Sequence, residues 1–108
     1  MDLSVVICVY NESGNIGPLL EETVQAVSRL GRSYEIVVVD DGSSDGTRDE
    51  LRKLRDRFAE LRVVLFRRNF GQTAALAAGF DHARGRVVVT MDADLQNDPA
   101  DIPRLLAK

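Results

Sequence analysis

The sequence predicts an α/β fold: one parallel β-sheet in the strand order 3-2-1-4, with helices on both faces. Three observations carry this. Short runs of β-branched and apolar residues alternate with stretches whose apolar residues recur at helical spacing, in the order β-α-β-α-β-α-β-α. Each strand–helix unit takes roughly 25–30 residues, the span of a crossover, and no hairpin signal separates the strands. The strands are nearly free of charge, as strands covered on both faces require. Right-handed crossovers then restrict the topology to a Rossmann-like half sheet. Strand 1 lies beside strand 4 at the switch point, where such sheets bind ligands beyond their carboxyl ends.

Residues 3–10 form an almost continuous apolar run and read as the first strand. The run breaks at Asn11-Glu-Ser-Gly-Asn15, a loop that opens a helix. There Ile16, Leu20, Val24 and Val27 share one face, and Gly31 supplies the C-cap. Residues 34–39 are the second strand, ending in Asp40-Asp-Gly-Ser-Ser-Asp-Gly46. Thr47 with Glu50 fits a capping box, and Leu51, Leu54, Phe58 and Leu61 make the stripe of a second helix. Its other face mixes Arg48, Arg52, Arg55 and Arg57 with Asp49, Glu50, Asp56 and Glu60, and reads as solvated charge. Residues 62–66 are the third strand. After Arg67-Arg-Asn-Phe-Gly71, the small residues of 72–80 favour a helix lying close to a sheet. His82 suits a surface or helix-end position, and Gly85 ends that helix. Residues 86–91 are the fourth strand. Asp98 as N-cap and Pro99 at N1 open a last helix running to Lys108.

At 108 residues the chain is expected to be a single domain, 1–108, small for an enzyme with two substrates. A net charge of −3 argues against a nucleic-acid coat protein, so no nucleic-acid partner is expected. Cys8, the single cysteine, reads as a small hydrophobe within the first strand. No apolar stretch approaches the roughly 18 residues of a membrane span, and the first residues lack a basic signal-peptide region. A cytoplasmic location is the expectation.

The chemistry gathers at one edge. The fourth strand ends in Asp92-Ala-Asp94, with Gln96 two residues on, and in extended chain these three project to the same side. Two carboxylates and an amide oxygen make a hard-oxygen site suited to Mg2+ or Mn2+. Alternatively they are a polar turn before the last helix. That reading accounts for Asp98 and leaves Asp92 and Asp94 unexplained. The ends of strands 1 and 2 bring Tyr10, Asn11 and Glu12, and Asp40, Asp41, Gly42 and Ser43, to the same rim. Carboxylates there can accept hydrogen bonds from ribose hydroxyls or a base N–H, while Arg67, Arg68 and Asn69 are candidates for phosphate oxygens. No G-x-G-x-x-G follows the first strand, and no G-x-x-x-x-G-K-[ST] is present. Geometry thus reaches a metal-dependent site for a nucleotide ligand.

Four motifs in order, Val5-Val-Ile-Cys-Val-Tyr-Asn-Glu12, Val39-Asp-Asp-Gly-Ser43, Arg68-Asn-Phe-Gly71 and Met91-Asp-Ala-Asp-Leu-Gln-Asn-Asp-Pro99, resemble inverting GT-A glycosyltransferases of family 2. Within it they are most similar to the polyprenyl-phosphate branch, the dolichyl-phosphate mannosyltransferase type. The resemblance implies transfer of a sugar from a UDP- or GDP-hexose to a polyprenyl (dolichyl or undecaprenyl) phosphate. It implies that Val9, Tyr10, Asn11, Glu12, Asp40, Asp41 and Gly42 cradle base and ribose. Asp92 would lie by the ribose and the metal, and Asp94 and Gln96 would bind Mg2+ or Mn2+; Asp92 and Asp94 would be the catalytic pair. Cys8 stands where the family usually has proline. The family's acceptor-phosphate arginines, lid and membrane-associating helices would follow Lys108. The chain is therefore expected to be the donor-binding part of a truncated glycosyltransferase domain, without turnover alone. It would self-associate through the surface so exposed, and the full-length enzyme would be membrane-associated on the cytoplasmic face. A receiver-like Mg-binding signalling module shares the alternation. It would want its acid pair after strand 1 and its phosphoacceptor after strand 3, where this chain has Asn11-Glu12 and Arg67-Arg68. A purely structural α/β piece, with its acids serving as caps, is the third reading.

Overall fold

The computed structural model describes residues 1–92. The expected alternation is present as β1 (Leu3–Val9), α1 (Ile16–Ser28), β2 (Tyr34–Asp40), α2 (Thr47–Arg57), β3 (Leu61–Leu65), α3 (Gln72–His82) and β4 (Val87–Asp92). The strands pair in parallel in the order β3-β2-β1-β4, as the sequence predicts.

Side-chain alternation sends the central strands' residues to two cores. Leu3, Val5, Ile7 and Val9 of β1, with Ile36 and Val38 of β2, pack against Ile16, Leu19, Leu20 and Val27 of α1 and Leu51 and Leu54 of α2. On the opposite face Val6, Val37 and Val39 meet Ala75 of α3. Both faces of β1 and β2 are thereby covered, which is why those runs carry no alternating polar residues. The small residues of α3 allow close approach: a Cβ on Gly79 would lie 2.3 Å from Val6 Cγ1.

Three local expectations are corrected. The apolar stripe of α2 does not continue through Phe58 and Leu61. The helix stops at Arg57, Phe58 takes an extended conformation, and Leu61 begins β3. The Glu60 carbonyl accepts the Ile36 N–H, so strand pairing wins over helical spacing. Gly85 does not end α3, which stops at His82 with Ala83 as C-cap. Gly85 instead lets the chain press on β1, since a Cβ there would lie 2.5 Å from the Ser4 nitrogen. The capping box at Thr47 and Glu50 does not form, as described below. The expected last helix from Asp98 lies outside the described residues.

At the amino edge of the sheet, Glu35 is buried and holds the chain crossing into β4. Its carboxylate accepts the Ser4 hydroxyl at 2.5 Å, the Arg84 N–H at 2.6 Å and Arg62 Nη1 at 3.1 Å. Burial pushes this carboxyl up, but those hydrogen bonds and the Arg62 charge outweigh it and hold the group below its ordinary value.

Candidate functional site

The carboxyl ends of β1, β2 and β4 share one rim, and the register fixes their order across it. Cys8 lies between Val39 and Asp92, and Val9 lies opposite Asp40. The topology therefore brings together the three predicted segments, 9–12, 40–43 and the start of the Asp-x-Asp stretch.

After Val9 the chain turns sharply. Asn11 has φ +53 and Gly14 φ +86, both in the left-handed region. Four consecutive backbone N–H groups are each taken by a different side chain of the loop after β2 or the first turn of α2. Asn11 donates to Ser43 Oγ at 2.9 Å, Glu12 to Thr47 Oγ1 at 2.9 Å, Ser13 to Asp45 Oδ2 at 3.2 Å and Gly14 to Glu50 Oε1 at 2.7 Å. In return, the Asn11 side chain accepts the Ser44 N–H at 2.8 Å. Tyr10, at the head of this loop, is 47% exposed on the rim.

Asp40 and Asp41 differ in their surroundings. Asp40 is fully buried; its carboxylate accepts the Ser43 hydroxyl and N–H, and Arg48 Nε lies 3.6 Å away. That nitrogen is buried and without a hydrogen bond among the described residues. Arg48 thus turns inward from the face expected to be solvated. Asp41 is 5% exposed and spans to the turn after β3. It accepts the Phe70 N–H at 2.8 Å, the Gly71 N–H at 3.1 Å and the Asn69 side-chain amide at 3.1 Å. Gly42, at φ +75, presses against that turn's backbone: a Cβ would sit 2.2 Å from the Arg68 carbonyl carbon. The two aspartates are thus built into the frame of the rim, through a carboxylate hydrogen-bonding capacity that their motif alone does not reveal.

Arg67 and Arg68 are exposed just past the end of β3. Arg68 lies over the Phe70 ring at 4.9 Å, and Phe70 meets Phe66 edge-on at 5.6 Å. The backbone of β4 carries Asp92 as its last residue, paired to Cys8. Asp94 and Gln96 lie outside the described residues. Among the described residues no group of three or more His, Cys, Asp or Glu could hold a metal. The donor types that follow Met91, two carboxylates and an amide oxygen at two-residue steps, fit a hard divalent cation.

Sequence reasoning missed the bracing residues. Ser43, Asp45, Thr47 and Glu50 hold the 11–14 loop, and Asn69 to Gly71 hold Asp41. Thr47 donates its hydroxyl to Asp45 at 2.5 Å, and its N–H to the same carboxylate at 2.9 Å. These two bonds, with a smaller one from the Ser13 N–H, hold the Asp45 carboxyl below its usual range. An Asp two residues before a helix start carries a signal for this turn. Nothing local signals that Glu50 reaches across to Gly14.

The sequence model described as glycosyl transferase family 2 matches residues 4–108. Dodecaprenyl-phosphate galacturonate synthase of Rhizobium johnstonii is 47% identical over 109 residues, which span 100% of this chain and 32% of that protein. Undecaprenyl-phosphate 4-deoxy-4-formamido-L-arabinose transferase of Edwardsiella ictaluri is 50% identical over 105 residues, covering 96% of this chain and 32% of that one. The chain thus spans about a third of the length of these curated relatives. Among solved structures, S. aureus TarS 1-349 in complex with UDP-GlcNAc superposes with a TM-score of 0.79 at 26% identity, covering 99% of this chain and 30% of that one. The mannosyltransferase PcManGT from Pyrobaculum calidifontis, in complex with GDP-Man and Mn2+, gives 0.68 at 32% identity, covering 85% and 27%. The sheet order 3-2-1-4 with its helices matches these neighbours, in keeping with the GT-A expectation. Neither the family match nor these structures favours the receiver-like alternative.

Proposed function

The chain belongs to glycosyl transferase family 2, and on that premise we propose that it forms the donor-binding part of a polyprenyl-phosphate glycosyltransferase. The observation that carries this is the rim: the register sets Asp92 beside Cys8 and Asp40 beside Val9, with the loops after β1 and β2 bonded to each other. Two curated relatives bearing polyprenyl-phosphate transferase or synthase names support the acceptor class. The donor is a nucleoside-diphosphate sugar with uracil or guanine as base, as in the complexes of the two structural neighbours.

In this reading Val9 to Glu12 form one wall of the base and ribose site, and Tyr10 offers its exposed ring to the base. Asp41 and Gly42 form the other wall, with Asp40 fixing its shape from beneath. Arg67 and Arg68 supply guanidinium groups to phosphate oxygens. Asp92, Asp94 and Gln96 are the oxygen donors that would hold Mg2+ or Mn2+, whose charge offsets that of the diphosphate. Transfer proceeds by attack of a lipid-phosphate oxygen on the anomeric carbon, with cleavage of the bond to the nucleoside diphosphate and inversion. The attacking phosphate is already anionic, so the demand for a general base is mild. The full-length protein would work at the cytoplasmic face of a membrane.

Calorimetric titration of UDP, GDP and their sugar conjugates, with and without Mn2+, tests this on the wild type and Asp94→Ala. Metal-dependent binding that is lost in the variant is the expected result, and the preferred base identifies the donor. A folded wild type that binds neither nucleotide would overturn the reading.

A further inference from the structure

We propose that Glu50 is a positioning residue for the nucleotide site: through Ser13 and Gly14 it fixes the 10–14 loop in its binding conformation. The inference rests on the donor-site reading above. Its ground is the ladder of four successive amides, from Asn11 to Gly14, each held by a side chain from the loop after β2 or the first turn of α2. Left-handed φ values at Asn11 and Gly14 bracket that ladder. A non-glycine residue keeps such a conformation only where its surroundings over-determine it.

Glu50 is the outermost rung and takes two donors on one oxygen, the Ser13 hydroxyl at 2.8 Å and the Gly14 N–H at 2.7 Å. It stands on a rigid base, because Leu51 and Leu54 anchor α2 in the core. Ser13 and Gly14 are themselves exposed, so these bonds add little to global stability. Their effect is local: they remove conformational freedom from the loop that starts at Tyr10, and a ligand need not then supply that order.

The sign of the effect separates this role from simple electrostatics. A carboxylate near an anionic diphosphate repels it, so loss of Glu50 charge alone would tighten binding. Loss of a positioning bond weakens it. The experiment measures UDP and GDP affinity with Mn2+ for the wild type, Glu50→Ala, Glu50→Gln and Ser13→Ala, together with amide exchange at residues 11–14. Glu50→Ala is expected to weaken binding about tenfold and to speed exchange of those amides, with the β1 and β2 core amides unchanged. Glu50→Gln keeps an acceptor oxygen and should stay within about threefold of the wild type, and Ser13→Ala should fall between. Should Glu50→Ala fail to fold, Ser13→Ala and Glu50→Gln still decide. Unchanged or tighter binding by Glu50→Ala overturns the inference. So does a Glu50→Gln loss equal to that of alanine, or a Ser13→Ala affinity equal to the wild type. A wild type that binds neither nucleotide instead overturns the donor reading, and Glu50 has then no site to position.

Discussion

Gly42→Ala should dislocate the rim, and a control elsewhere in the chain isolates the reason. Gly42 has φ +75, where an L residue costs about 1–2 kcal/mol. The new methyl would also lie 2.2 Å from the Arg68 carbonyl carbon, 2.5 Å from the Asn69 nitrogen and 2.6 Å from the Arg68 Cα. All three are backbone atoms, so no flexible side chain can swing away and the 68–71 turn must move. Overpacking of that kind adds about 1–3 kcal/mol, for a total of about 2–5 kcal/mol. Gly31→Ala carries the same conformational term at φ +66 but meets nothing within 4 Å. The two variants therefore differ by the steric term alone. Thermal and urea unfolding read the difference, each kcal/mol shifting Tm by about 4 °C or more in a chain of this size. Because the turn that must move also holds Asp41, Gly42→Ala should speed amide exchange at Phe70 and Gly71, and Gly31→Ala should not. Equal stability of the two variants would refute the claim that Gly42 exists for close approach, as would undisturbed exchange at residues 70 and 71.

Two further perturbations probe the same frame. Asp41→Ala leaves the Phe70 and Gly71 N–H groups without their acceptor and the Asn69 amide with only the Asp41 backbone carbonyl, at a cost of about 1–3 kcal/mol. A lowered urea midpoint with faster exchange at residues 70 and 71 is expected, and unaltered protection there would contradict the assignment. Glu35, with its carboxyl held below the ordinary value, contributes stability that is complete above that value and is lost as pH falls through the folded one. Unfolding free energy should therefore decline from about pH 5 downward, and Glu35→Gln should flatten that decline. An identical acid slope in the variant would assign the loss to other groups.

Much of the fold was legible because its signals are local. The apolar runs at 3–9 and 34–39 can be satisfied only by burial on both faces, and helical spacing at Ile16, Leu20 and Val27 marks one covered face. The same local reading failed at Phe58 and Leu61, whose spacing continues the α2 stripe. There Leu61 pairs with Ile36, twenty-five positions earlier, and the partner strand decides. It failed again at Glu50, where a capping box three residues after Thr47 competes with a donor thirty-six residues away, the Gly14 N–H.

For the site, the sequence by itself determined which residue types stand at the strand ends: acids and amides after β1, β2 and β4, arginines after β3. It determined this because strand ends follow from where apolar runs stop. Only the tertiary structure decided which of those groups are buried in the frame of the rim and what each one braces. Asp40 and Asp41 are adjacent and chemically identical, yet one lies beneath the rim beside Ser43 and Arg48 and the other holds the turn at Asn69 to Gly71. Successive residues at a strand end point to opposite faces, and each face brings its own partners from distant parts of the chain.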